Sequence, residues 1–271
     1  MRSGRRAACA IALAGAAALA LPACAPHRLA PPALEEGQVR ARFVRALAER
    51  AERARAVEAR VALWPHSASR GALPGAEAVL LLAAPDAFRL RVGSSFGTAL
   101  DLGAHDDSVV AYVPSRRLAV RLGAAGESLG VRSPAAVVCR ALGATWNPDA
   151  AAWAAPERSD SLLVVRWLED GDSLALGVGT SGLPRWARIA RPDGPALDVR
   201  YPAWSWVDGA SWPTGVALSD GGGRFQVECR LRHVRFAARP DRRRLAVVTP
   251  ADAGRLGWLG LRRALERLEE L

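Results

Sequence analysis

Four histidines, four cysteines and a glycine run are the residues of this 271-residue chain that would first suggest catalysis. His27, His66, His105 and His233 carry no H-E-x-x-H or comparable spacing for a metal. There is no G-x-S-x-G elbow, no P-loop and no G-x-G-x-x-G after a strand-like segment. Gly221-Gly222-Gly223 follows Asp220 and precedes a long alternating segment, so it reads as a hairpin turn rather than a phosphate cradle. His105-Asp106-Asp107 likewise reads as a turn rather than a metal site. The residues predict no catalytic group, no metal and no cofactor, and hence not an enzyme.

The cysteines point elsewhere. The chain begins with three Arg in MRSGRR, followed by an uncharged run over 7–23. About 17 positions is short for a span that needs roughly 20. A charged start, a short apolar run and a small-residue exit form the pattern of a secretory signal. The exit, Leu21-Pro22-Ala23-Cys24, resembles the lipobox of bacterial lipoproteins, with Pro22 where Ala, Ser or Thr is usual. That resemblance implies cleavage of 1–23 and lipidation of Cys24, the palmitate-type acylation of such proteins. Several acyl chains on one cysteine meet the requirement for stable anchoring without a span. Residues 24–34, rich in Pro and Ala, read as an extended tether. Ala25 rather than Asp follows the cysteine. By analogy with enteric bacteria this sorts the protein to the periplasmic face of the outer membrane.

Cys139 and Cys229 remain after Cys9 leaves with the signal. In an oxidising envelope they either pair or stay as two separate buried thiols. Net charge is +10 and every base is Arg; losing Arg2, Arg5 and Arg6 leaves +7. The Arg are spread along the chain rather than clustered, apart from Arg242-Arg243-Arg244. They read as a solvated face touching anionic head groups, with no nucleic acid as partner.

The elements that must position any site are mostly strands. Residues 35–56 have the 3.6-residue apolar period of a helix through Val39, Phe43, Ala46 and Leu47. The period then switches to two. Alternating segments are expected at 57–63, 76–84, 88–92, 98–102, 108–113 and 117–122. A helix opening at Ser133-Pro134 follows, then strands at 161–168, 173–179, 184–191, 196–201, 213–219 and 224–236. Short polar connectors favour antiparallel hairpins. Leu256, Leu259, Leu265 and Leu268 suggest a C-terminal helix over 251–271. The fold class is therefore mainly β: one curved antiparallel sheet of about eleven strands, forming an incomplete, half-open barrel. A helical lid and terminal helices complete it.

Two stretches resemble the LolA/LolB family of lipoprotein carriers. DAFRLRVGSSFGTALDLGAHDDSVVAYVPSRR (86–117) is similar to its central hairpin, and LDVRYPAWSWVDGASWPTGVALSDGGGRFQVECRLRHVRF (197–236) to its C-terminal hairpins. With the lipobox, the outer-membrane lipoprotein LolB is the nearer side of the family. The resemblance spans roughly 35–250; the C-terminal helix and the Arg richness depart from it.

The resemblance implies a half-barrel that holds acyl chains of lipoproteins or lipids and delivers them to the outer membrane, receiving them from a periplasmic LolA-like carrier. It implies a monomer that performs this chaperone-like protein transport without catalysis. Phe88, Leu90, Leu100, Leu102, Trp186, Val199, Tyr201 and Trp204 either line that lipid cavity or fill an ordinary core. Phe96, in Gly93-Ser94-Ser95-Phe96-Gly97, either engages the membrane from its loop tip or folds back onto the sheet. Nine Trp, several within 204–212, suit a membrane interface, a cavity mouth or ordinary packing. A different class stays open: a structural or assembly lipoprotein with a filled β core that docks another envelope protein.

Overall fold

The computed structural model describes residues 35–105, 108–123, 134–146, 148, 151–153, 156–159, 161–169, 171–190, 192, 196–237 and 241–257. The signal over 1–23, Cys24, the tether, Asp106, Asp107 and 258–271 lie outside the described residues.

Helix α1, Glu36–Arg53, buries Val39, Phe43, Ala46 and Arg50, one stripe at the spacing its sequence predicts. The strands of the first half are β1 (Ala56–Ser67), β2 (Gly71–Ala72), β3 (Ala76–Ala83), β4 (Ala87–Ser94), β5 (Gly97–His105), β6 (Ser108–Val113) and β7 (Leu118–Leu122). Helix α2, Pro134–Ala141, separates them from the second half. There follow β8 (Glu157–Ser159), β9 (Leu162–Glu169), β10 (Asp172–Gly179), β11 (Pro184–Ala190), β12 (Leu197–Val207), β13 (Ala210–Asp220) and β14 (Phe225–Ala237). A one-turn helix α3 (Arg242–Leu245) and β15 (Gly254–Leu256) end the described chain.

The strands form one open sheet in the order β15-β7-β6-β5-β4-β3-β1-β14-β13-β12-β11-β10-β9-β8, with β2 hydrogen-bonded to β1 off that path. All pairings are antiparallel except β15 with β7. The seam joining the halves is β1 against β14, from Ala56↔Ala237 to Ser67↔Phe225. The fold class predicted from the residues is the one observed, with fifteen strands among the described residues rather than about eleven. The additions are mainly β2, β8 and β15, too short for a period of two to register. The expected C-terminal helix does not start at 251: Gly254–Leu256 instead extend the β7 edge. Residues 202–212, which the alternation leaves unassigned between the strands expected at 196–201 and 213–219, belong to the arms and tip of the β12–β13 hairpin. Asp208 and Gly209, at φ 43° and 84°, make the two-residue turn that Asp-Gly favours.

Residues 241–257 cross the outer face of the first half as a strap. Arg244 binds Glu58 at 2.9 Å, and Leu245 packs on Ala83 and Ala87. Val247 presses on Gly103, where even a Cβ would come within 2.8 Å of it. Asp252 pairs with Arg117. Beneath the strap lies a buried ion pair: Arg89 donates to both carboxylate oxygens of Asp101, at 2.8 and 2.5 Å. Its third donor reaches the Arg244 carbonyl at 2.7 Å. The bond to Asp101 holds the Arg89 pKa above its usual value. The alternation of 88–92 predicts Arg89 as solvated; the strap makes it a buried residue. Asp101→Ala is expected to destabilise the protein by about 3–5 kcal/mol, because it strands a buried guanidinium. Arg89→Met/Asp101→Leu is expected to recover most of that loss, as read by urea unfolding.

Candidate functional site

The concave face divides into a filled part and an empty one. Under α1, the β9–β13 half is packed solid. Phe43, Leu174, Leu176, Ile189, Val199, Tyr201 and Trp212 are each at most 1% exposed. Phe43 meets Trp153 with ring centroids 5.4 Å apart. Astride the seam, strands β1, β3, β4, β5 and β14 and helix α2, joined by Leu197 of β12 and Leu218 of β13, surround a cavity of about 500 Å³. Among the described residues, every side chain around it is apolar. Two strands show why. In β4, Phe88, Leu90 and Val92 face it while Arg89 and Arg91 point away. In β14, Val227, Cys229 and Leu231 face it while Glu228, Arg230 and Arg232 point away. The volume falls within the ordinary range for small-molecule sites, about 300–1,000 Å³.

Helix α2 covers the cavity with Val137, Val138, Ala141 and the following Leu142. It rests on β4 and β5 and is tied to the other half by polar groups. Arg140 binds Glu169 at 2.6 Å. Tyr201 Oη donates to the Ala141 carbonyl at 2.9 Å, and complete burial pushes the phenol pKa well up. Arg50 of α1 donates to the Gly143 carbonyl at 2.8 Å and lies over the Trp204 ring at 5.1 Å. Among the described residues no carboxylate accepts from Arg50; desolvation by burial lowers its pKa to about 10. The period of α1 marks position 50 as inward, but its charge reads as solvent-facing, so sequence reasoning missed it. Arg50→Ala leaves the Gly143 carbonyl without this donor and opens a void. The expected loss is about 3 kcal/mol in urea unfolding, with faster hydrogen exchange over 137–146.

The residues singled out from the sequence separate clearly. Phe88, Leu90, Leu100 and Leu102 are brought together around the cavity. Val199 and Tyr201 belong to the filled half. So does Trp204, whose Nε1 donates to the Pro184 carbonyl at 2.9 Å. Trp186 is on the outer face, paired with exposed Arg200 across β11–β12 and lying over Gly177. Periodicity placed these four on a face of the sheet without fixing which face, or which half.

Phe96 does not fold back: it is 99% exposed at the tip of the β4–β5 hairpin. The turn is held from below. Ser94 Oγ accepts from the Phe96 N–H at 3.3 Å and donates to the Gly97 carbonyl at 3.1 Å. Gly97 has φ +115°, a region that side chains avoid. Strand register puts this tip at the same end of the sheet as Phe225. Val92 pairs with Ala78, Ala76 with Leu63, and Ser67 with Phe225. Phe225 itself lines the cavity and is about half exposed.

Cys139 and Cys229 are free thiols, not a disulfide. Cys139, on the buried face of α2, lies near Ala87 of β4, whereas Cys229 sits on β14, three strand positions from β4. At about 4.8 Å per strand that exceeds the reach of an S–S bond. Burial pushes their pKa values up to about 12 and about 11. Both are therefore protonated at neutral pH and poor nucleophiles. Unfolding without reductant is expected to expose two titratable thiols besides any at 9 and 24; a thiol-reagent titration reads the number. Among the described residues, no group of three or more His, Cys, Asp or Glu is placed to hold a metal. No described helix is long and apolar enough to cross a membrane.

No protein-family model matches the sequence, and no curated protein matches it. Solved structures do. A LolA superfamily protein from Nitrosomonas europaea superposes with TM-score 0.50 at 13% identity, covering 78% of this chain and 97% of that one. A domain described as outer membrane lipoprotein-sorting, from Vibrio parahaemolyticus, gives TM-score 0.49 at 12% identity, with 72% and 90% covered. The lipoprotein LppX of Mycobacterium tuberculosis gives 0.31 at 13%, with 76% and 100% covered. The likeness to the first is one of fold: this chain has a LolA-like open, curved sheet.

Proposed function

We propose that the chain is a lipid-anchored envelope lipoprotein that takes the acyl chains of a lipoprotein or lipid into the cavity under α2. It then delivers them to the outer membrane without covalent chemistry. The observation that carries this reading is the cavity itself, about 500 Å³, lined among the described residues by apolar side chains alone. Such a space stays dry and favours hydrocarbon. Each methylene moved into it from water contributes about 0.8 kcal/mol. Phe96, fully exposed at the same end, is the group that would enter a bilayer as the cargo leaves. Under this reading Cys24 carries the anchor, the periplasmic face of the outer membrane is the site of action, and a soluble carrier of the same fold is the donor.

Native mass spectrometry of the protein purified from envelopes tests this. One acyl-bearing molecule per chain, or uptake of an added synthetic lipopeptide, is the expected result. A clean apo mass with no uptake would overturn it. The filled β9–β13 half favours one other reading, a lipoprotein that docks a second envelope protein, and that outcome would leave it standing.

A further inference from the structure

Behind the cavity, on the opposite face of β14, lies a second concavity of very different chemistry. It is a groove of about 740 Å³ where β12 bulges between Arg200 and Trp204. Small residues make its floor: Ala203, Gly215 and Ala217. Arg185, Arg200, Arg230 and Arg232 stand around it, against one acid, Glu228. None of these four arginines forms an ion pair among the described residues, although arginines elsewhere do. Arg230 is held over the Trp64 ring at 5.8 Å. Ser205 and Thr214 bring hydroxyls, 3.3 Å apart, to the same wall.

The charge arrangement works against the sheet. Arg232 pairs directly with Arg60 across the β14–β1 seam, and both are exposed. Like charges directly opposite in a sheet are destabilising. A groove that gathers unpaired guanidinium groups, and tolerates that repulsion at its border, is complementary to a compact polyanion. Guanidinium forks bind phosphate oxygens through paired N–H donors, which a surface of scattered charges cannot do.

We propose that this groove is a binding site for a ligand carrying clustered phosphate groups. Arg200 and Arg230 grip the phosphates, and the Ser205 and Thr214 hydroxyls donate to them. Val227, Cys229 and Leu231 face the acyl cavity while Glu228, Arg230 and Arg232 face the groove. The two sites therefore lie back to back and are separable by mutation.

Calorimetric titration of the full-length protein with inorganic tripolyphosphate tests the proposal. One-to-one binding is expected. Arg200→Gln/Arg230→Gln should weaken it by at least about 10-fold, since two charge-assisted contacts are lost. Arg45→Gln/Arg55→Gln, an equal loss of charge from exposed positions elsewhere, should change it less than about 2-fold. Arg200→Lys/Arg230→Lys keeps the charge and removes the forks; it should also weaken binding and serves if the glutamine pair misfolds. Tripolyphosphate binding with this pattern makes soluble phosphate a sufficient ligand. The same variant dependence on phosphatidylglycerol vesicles, with phosphatidylcholine vesicles inert and tripolyphosphate weak, makes it a lipid head group. No binding to either, or an equal loss in the control pair, overturns the proposal. Acyl uptake should be unchanged in every variant, so failure here does not touch the cavity.

Discussion

Leu90→Trp/Leu102→Phe is expected to abolish acyl-chain uptake while leaving the protein folded. The two leucines face each other directly across β4 and β5, and both line the cavity. Neither is fully buried, so the added rings enter open space rather than packed side chains. Overpacking a full core costs about 1–3 kcal/mol; filling a void costs less. The effect on cargo is larger. If the rings displace about five methylenes, about 4 kcal/mol of transfer free energy is lost, roughly 1,000-fold in affinity. Binding of a fluorescent lipopeptide, read beside a thermal melt, checks both halves of the statement. Unchanged uptake in a folded double variant would place the acyl chains somewhere other than this cavity.

Phe96→Glu is expected to separate loading from delivery. The side chain is 99% exposed and packs on nothing, so stability should change by no more than about 0.5 kcal/mol. Uptake should be normal, since Phe96 does not line the cavity. Transfer from loaded protein into vesicles should fall by at least about 10-fold. Burying a phenyl ring contributes about 1.5–3 kcal/mol, and a carboxylate at the same tip is repelled by apolar lipid and anionic head groups alike. Phe96→Leu should keep most of the transfer. Normal delivery by the Glu variant would remove the hairpin tip from the mechanism.

How far these sites were legible from residues alone depends on how local their causes are. Phe88, Leu90, Leu100 and Leu102 were, because a period of two groups them on one face and the hairpin carrying them is short. Phe96 was, because Gly and Ser flank it. Its exposure was not, since a turn residue can fold back at no cost to the pattern. Arg89 was misread because what buries it comes from far along the chain: Arg244 and Val247 of the strap. Trp186 was misread because alternation cannot say which face is concave. The full length of the β12–β13 hairpin was hidden by Pro202 and Pro213 within its strands, although Asp208-Gly209 is a strong turn signal. Least legible was the division of the interior. Tyr201 and Leu90 sit in similar alternating strands. One is locked to α2 by its hydroxyl, and the other borders empty space.

The seam between β1 and β14 governs the order of events during biogenesis. Val57 pairs with Phe236 and Leu63 with Cys229, so the two halves of the sheet cannot join until β14 has been made. Loop-closure entropy on that scale slows assembly. A chain threaded from its amino end through an export channel would present β1 to the envelope long before its partner arrived. The cavity cannot exist in that interval, because β1 and β14 each supply part of its wall. Under the proposed carrier function, cargo cannot be taken up before β14, the last long strand, is in place.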